Sequence, residues 1–307
     1  MSFLSLIAAL LLEQVRPLRP GNAVHALYLR YAELLEQRFN GGRQEHGIIA
    51  WCFAAVLPVL ATLAIYVLLR HASPLLAWAW NVAVLYFTMG FRQFSHYYNE
   101  ILHALQNGEA DRARECLSRW RGAPSVEPAS NDIARVAIEL GLVSSHRHVF
   151  GPIASFVVLG AAGAVLYRTA ALLAQRWGAR TDPEFGTFGQ FADRFFYWLD
   201  WLPSRVTAVS FAIVGNFEDA VYSWRTQAAS WALQTHGIIL SSGAGAIGVR
   251  LGEPVHHAGG PEMRVEAGAG EEADVDYMQS AVGLIWRALV LWMFLILLVS
   301  IAYSLGA

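Results

Sequence analysis

Chemistry in a protein needs ionisable or nucleophilic side chains spaced so that they can act together, and this chain offers few such groupings. Asp200 and Arg205 flank Trp201-Leu202-Pro203-Ser204 in a stretch that is otherwise apolar and aromatic. Charges in such surroundings are costly and are normally paired or set in a wet cavity, so the two mark either a binding site or an ion pair fixing a helix start. His146 and His148 stand two apart with Arg147 between them. Two imidazoles supply half a metal shell and the intervening guanidinium repels a cation, so an interfacial histidine pair is the plainer reading. His256-His257, near Glu253 and Glu262, lies in a Gly-rich stretch and reads as a solvated loop. Gly243, Gly245, Gly248 and Gly252 form a glycine run, but no Lys and Ser/Thr follow in the Walker spacing, so no phosphate-cradling loop is expected. All 22 basic residues are arginine, which excludes a lysine Schiff base. The two cysteines, Cys52 in an apolar run and Cys116 in a polar one, supply neither a disulfide framework nor a CxxC metal site.

Apolar helices must carry these groups. Of 307 residues 55% are hydrophobic and 15% charged, whereas an average soluble domain is about 25% charged; the surplus apolar surface calls for lipid. A net charge of -2 implies no polybasic nucleic-acid surface. Residues 48–69 run 22 positions without a charge between Arg43 and Arg70, and about 20 suffice to cross ~30 Å of hydrocarbon. Residues 74–91, with Trp78, Trp80 and Tyr86 and a closing Arg92, form a second span, and the turn at 70–73 makes the two a helical hairpin. Residues 282–305 form a third, opened by Trp286 and Arg287.

Two further segments are weaker spans: residues 1–12, apolar but without a basic leader or cleavage site, read as a retained segment, and residues 149–167 either cross or re-enter, their Gly151, Gly160 and Gly163 permitting close helix approach. Residues 92–147 read as a helical segment outside lipid, with apolar periodicity in Ile101, Leu102, Leu105, Ala113, Leu117 and Trp120. Residues 191–202 read as interfacial, 206–214 as too short to cross alone, 238–251 as re-entrant or buried, and 252–276 as a flexible loop. The expected fold is all-α, one polytopic membrane helical bundle over residues 1–307 with four or five transmembrane helices and interfacial or re-entrant helices. Arginines before the first span and after the second place both flanks in the cytoplasm.

Several motifs together resemble the CobD/CbiB family, the membrane-bound adenosylcobinamide-phosphate synthases of cobalamin biosynthesis, and their AmpE-like relatives. Leu202-Pro203-Ser204-Arg205-Val206 is similar to the family's LPxRL run, and the stretch from Ala244-Gly245-Ala246-Ile247-Gly248 to Leu251-Gly252 to its AGALGxxLGG run. Val136-Ala137-Ile138-Glu139, Gly151-Pro152 and Gly163-Ala164-Val165-Leu166-Tyr167-Arg168 follow its central segment, and Asp200-Trp201-Leu202-Pro203 resembles the AmpE-like branch. Asp274-Val275-Asp276, leading through Ile285-Trp286, resembles its closing pattern.

The resemblance implies a synthase that uses ATP to join aminopropanol phosphate to a corrin carboxylate, with acidic residues holding Mg²⁺ against the phosphates. Those acids are replaced. The family's N-terminal DxxxGDP stands here as Gln14 through Leu18-Arg19-Pro20, its GRDT as Gly122-Ala123-Pro124-Ser125, its ENTxDG as Val143-Ser144-Ser145-His146-Arg147-His148, and its NTLDSM as Ala171-Leu172-Leu173-Ala174-Gln175-Arg176. Glu139 is retained.

The expectation is therefore a multi-pass bacterial inner-membrane protein that binds, senses or assembles rather than catalyses. No catalytic residue, metal ligand or cofactor is assigned; Glu139, Asp200 and Arg205 are its candidate ligand-binding residues, and its partners are the lipid bilayer and a corrinoid or a membrane protein. The alternative is an active synthase using Mg-ATP. A third reading is a small-molecule transporter, with the glycine-broken segments 149–167 and 238–251 lining a midplane site.

Overall fold

The computed structural model describes residues 2–16, 22–124, 129–180, 182, 184–252, 256–257, 260–261 and 266–306. Leu18, Arg19, Pro20 and Ser125 of the family-like segments, and Glu253 and Glu262 beside the paired histidines, lie outside the described residues. In chain order the helices are α1 (Ser2–Val15), α2 (Ala23–Phe39), α3 (Gln44–Trp51), α4 (Leu57–Ala72), α5 (Pro74–Thr88), α6 (Phe91–Gln106), α7 (Ala110–Arg121), α8 (Ser130–Ser145), α9 (Gly151–Leu173), α10 (Gln190–Val214), α11 (Phe217–Gln227), α12 (Gln234–Ile247) and α13 (Val275–Gly306). Single π-helical turns at Cys52–Val56, His146–Phe150 and Ala174–Gly178 continue α3, α8 and α9. The described strands are two-residue pieces: β1 (Val249–Arg250) pairs parallel with β4 (Glu271–Glu272), and β2 (His256–His257) pairs antiparallel with β3 (Gly260–Pro261). Helix thus dominates, as composition required.

The chain forms two compact units: residues 1–90, 147–203 and 300–307, and residues 91–146 and 204–299. In the first, α4 and α5 make the expected hairpin. Ser73 ends α4 and caps α5, its Oγ accepting the Leu75 N–H at 3.3 Å, with Pro74 at the first helical position, where its missing N–H costs nothing. The indole of Trp80 donates across the hairpin to the Thr62 carbonyl at 3.3 Å. Leu57, Leu60, Leu63 and Leu68 stay exposed on α4, the surface a lipid-facing helix presents. The core of this unit is aromatic, built from Trp51, Tyr167, Trp177, Phe185, Phe188 and Phe196.

The segment from Ser130 to Gly178 is long and apolar enough to cross a membrane, yet its backbone breaks at Gly160 (φ 65, ψ -154), a conformation open essentially to glycine alone. Beyond the break α9 doubles back. A Cβ on Gly151 would fall on the Tyr167 ring and one on Gly163 on the Ser155 carbonyl; a straight helix would separate Gly151 from Tyr167 by roughly 24 Å. Residues 149–167 therefore form a helical hairpin whose tip, Val157, Val158 and Leu159, is exposed and apolar. Ten residues per arm reach ~15 Å, half of a bilayer core. Between the two readings left open for this segment, the geometry fits re-entry.

In the second unit α12 is buried along most of its length, and its glycines let neighbours touch backbone: a Cβ on Gly245 would meet the Asp219 carbonyl of α11, and one on Gly243 the Leu142 side chain of α8. Gly248 (φ 71) ends α12 in the left-handed cap that glycine favours, and β1 follows. Ser242 donates to the Ala208 carbonyl at 2.8 Å, and Trp292 of α13 donates its indole N–H to Ser210 at 2.7 Å.

The element boundaries depart from the sequence reading in two places. The interfacial segment and the short apolar segment after it are one 25-residue helix, α10, running through Pro203, so Asp200 lies inside a helix and not at its start. Proline removes a single i→i−4 bond, which packing on both sides outweighs here. The last span begins at Val275, because the Gly-rich loop before it ends in the β1–β4 ladder and the Leu251–Ala267 bridge, which fix the point where α13 starts.

Candidate functional site

Glu139 sits on α8, buried to 6% exposure among Ile138, Leu142 and Ala137. Its Oε1 accepts the Gly252 N–H at 2.9 Å. That bond joins the retained acid to the last residue of the glycine run, two motifs 113 positions apart. Gly252 follows β1 with φ 82, a turn that aims its N–H at the carboxylate. One helical turn earlier, Arg135 is buried and pairs with Asp132 at 2.9 Å. Together with Asn131, Arg250, Glu272 and Ala129 they line a polar cavity of about 250 Å³. Arg250 and Glu272 arrive opposite one another because they are register partners in the β1–β4 ladder, their charges 3.9 Å apart. Sequence reasoning missed this cavity: only the parallel pairing reveals that Arg250 and Glu272 meet.

Arg205 belongs to the same unit as Glu139 and stands on α10. Asp200, on the same helix, belongs to the other unit, so the three candidate residues do not form one cluster within either unit. Asp200 is 2% exposed and its Oδ1 accepts the Tyr167 hydroxyl at 2.7 Å. Tyr167 lies on the second arm of the hairpin against Gly151, so the carboxylate is fixed to the hairpin's base. His146 is also committed: its Nδ1 shares a 3.0 Å hydrogen bond with Thr207. Among the described residues no group of three His, Cys, Asp or Glu side chains is disposed to hold a metal ion.

The hairpin carries two arginines near its base. Pairing residue 151 with 167 and 155 with 163 sets Arg168 opposite residue 150, one turn from Arg147. The charges of both act on Tyr167 and on each other. On α2, burial and then the charge of Arg168 hold the His25 imidazole below its ordinary value. Arg168 was legible as an isolated charge between Tyr167 and Thr169 in an apolar run, but its meeting with Arg147 required the fold-back at Gly160.

A second polar cavity, of about 260 Å³, is lined by Arg92, His96, Asn99, Glu100, His103 and Arg112 on α6 and α7. His96 approaches Glu100 at 3.4 Å, and Glu100 in turn accepts a 3.5 Å hydrogen bond from the Cys116 thiol. Burial pushes that thiol up, Arg119 draws it down and Glu100 adds to the rise.

A family model described as "CobD/Cbib protein" matches residues 6–285. The chain is 33% identical over 301 residues to the cobalamin biosynthesis protein CobD of Stutzerimonas stutzeri, covering 96% of this chain and 97% of that one. It is 35% identical over 241 residues to the protein of the same name from Chromobacterium violaceum, covering 78% and 76%, and 25% identical over 225 residues to that of Yersinia enterocolitica, covering 69% and 68%. No solved structure matches. A family match across the chain's length, on a helical membrane bundle whose glycine run and retained Glu139 meet in one hydrogen bond, fixes its kinship: the chain belongs to the CobD/CbiB family.

Proposed function

We propose that this chain works in the bacterial inner membrane as a binding or assembly component on a CobD/CbiB scaffold, AmpE-like in its losses, and does not carry out the synthase reaction. The observation that carries this reading is Arg147. It occupies the place where the family resemblance expects the aspartate of ENTxDG, and Arg168 stands beside it at the base of the hairpin. A magnesium–nucleotide complex held there would bring a divalent cation against two guanidiniums, where the synthase chemistry requires carboxylates. Glu139, the acid that remains, is engaged as acceptor for Gly252.

Purified full-length protein in neutral detergent, given adenosylcobyric acid, aminopropanol phosphate and Mg-ATP, is expected to form no amide product detectable by mass spectrometry. Turnover sensitive to Mg²⁺ removal would overturn the proposal. The second reading, an active adenosylcobinamide-phosphate synthase, is favoured by the similarity to relatives named as cobalamin biosynthesis proteins. It expects the gene to restore corrinoid-dependent growth to a synthase-null strain, and a well-expressed protein that fails to do so counts against it.

A further inference from the structure

Helix α2 meets the first membrane span at a place where that span's own backbone bonding fails. Pro58 has no N–H to give the turn before it, and the π-helical turn Cys52–Val56 shifts the ladder just ahead of it. Carbonyls freed in this way at membrane depth need a donor from a neighbouring element. Two donors come from α2: the Tyr31 hydroxyl donates to the Phe53 carbonyl at 3.0 Å and the Tyr28 hydroxyl to the Ala54 carbonyl at 3.4 Å. Phe39 stacks on the Phe53 ring, their centroids 5.9 Å apart. Tyr28, Tyr31 and Phe39 are spread over about 16 Å of helix, yet all three meet residues 53 and 54. Helices lying side by side would distribute such contacts along both, so α2 crosses the span steeply. A span stands near the membrane normal. That puts α2 near the membrane plane, about 8 Å inside the start of the charge-free run at Ile48.

The two sides of α2 fit this position. Ala32 is buried, and Leu35 and Phe39 pack on the aromatic core, whereas Val24, Leu27 and Leu34 stand exposed at the helical spacing that puts them in one stripe with Tyr31. Arg30 and Arg38 are exposed at the border and the end of that stripe, where their stems can follow apolar surface while the guanidiniums reach headgroup oxygens. Glu36 faces the other way, accepting from the Trp177 indole at 3.0 Å and from Arg180 at 2.6 Å. With four charged residues among 17, α2 is too polar to cross the bilayer itself. We propose that α2 is an in-plane membrane helix. Its stripe of Val24, Leu27 and Leu34 is seated among lipid chains just beneath the headgroups, on the side where the first span begins, the depth at which amphipathic helices lodge.

The test uses the full chain, one copy per nanodisc of phosphatidylcholine and phosphatidylglycerol. Single cysteines replace Leu27, Leu34 or Glu33 in a Cys52/Cys116-free background and carry a nitroxide. Collisions are measured with oxygen, which partitions into lipid, and with a nickel chelate, which stays in water. Labels at Leu27 and Leu34 are expected to show a ratio of oxygen to nickel collisions about threefold or more above that at Glu33. Equal ratios at all three positions would put the stripe in water and overturn the proposal. Protection of Leu27 and Leu34 from both agents would mean that protein covers the stripe, and overturns it too. Should the cysteine variants fail to fold, a photoactivated diazirine lipid in the same discs, acting on the native sequence, is expected to mark residues 24–34. The absence of any mark there counts against the proposal in the same way.

Discussion

At the scale of single residues, the groups that look most chemical are held by structural bonds. Glu139→Ala would strip the Gly252 N–H of this buried acceptor, at a cost of about 1–3 kcal/mol. Glu139→Gln keeps an oxygen and is expected to cost less, both being read as shifts in chemical unfolding in detergent. His25 supplies a pH dependence. Its value in the folded chain lies below the ordinary 6.5, so as pH falls the unfolded chain takes up the proton first. The stability it contributes is complete above about pH 6.5 and is lost as pH drops below that. Melting temperature should therefore decline from pH 7.5 to 5.5, and His25→Gln should flatten the slope; an unchanged slope would remove His25 from the account. Cys116, raised chiefly by burial, should react with N-ethylmaleimide more slowly in the native than in the denatured protein, and Glu100→Gln should quicken it.

At the scale of elements, the hairpin of α9 makes the sharpest claim. Gly160→Ala forces a β-carbon into backbone geometry reserved for glycine, at about 1–3 kcal/mol. Gly151→Val drives into the Tyr167 ring and should cost more. If the segment re-enters, cysteines placed at His148 and Gln175 in a Cys52/Cys116-free background will be labelled by an impermeant maleimide from the same face. Labelling from opposite faces would make it a crossing. Much at this scale was readable in advance. The charge-free run from Ile48 and the turn at 70–73 announced the α4–α5 hairpin, and the apolar run at 238–251, read as re-entrant or buried, is the buried helix α12. The continuity of α10 was hidden because Pro203 reads as a breaker and only tertiary packing overrides it. The 250 Å³ cavity was hidden because strands of two residues carry no periodicity.

At the scale of the whole molecule, the exposed apolar side chains on α4 and α13, Leu60, Leu63, Val290, Phe294 and Val299 among them, would be untenable in water. The protein should stay with the membrane pellet through an alkaline carbonate wash and be released by detergent; release without detergent would contradict the bundle. Composition alone foretold that much, and the family motifs foretold the kinship. The motifs also put Arg147 where the family has an aspartate; what they could not foretell is that Arg168 comes within about one turn of it, since this depends on the fold-back at Gly160. The fold-back that brings them together also bears on biogenesis. A translocon senses greasy stretches of about 20 residues as stop signals, and residues 149–167 supply 19. Lodged upright, they would invert the orientation of all that is synthesised afterwards, so an achiral pivot at Gly160 decides to which compartment the rest of the polypeptide is delivered.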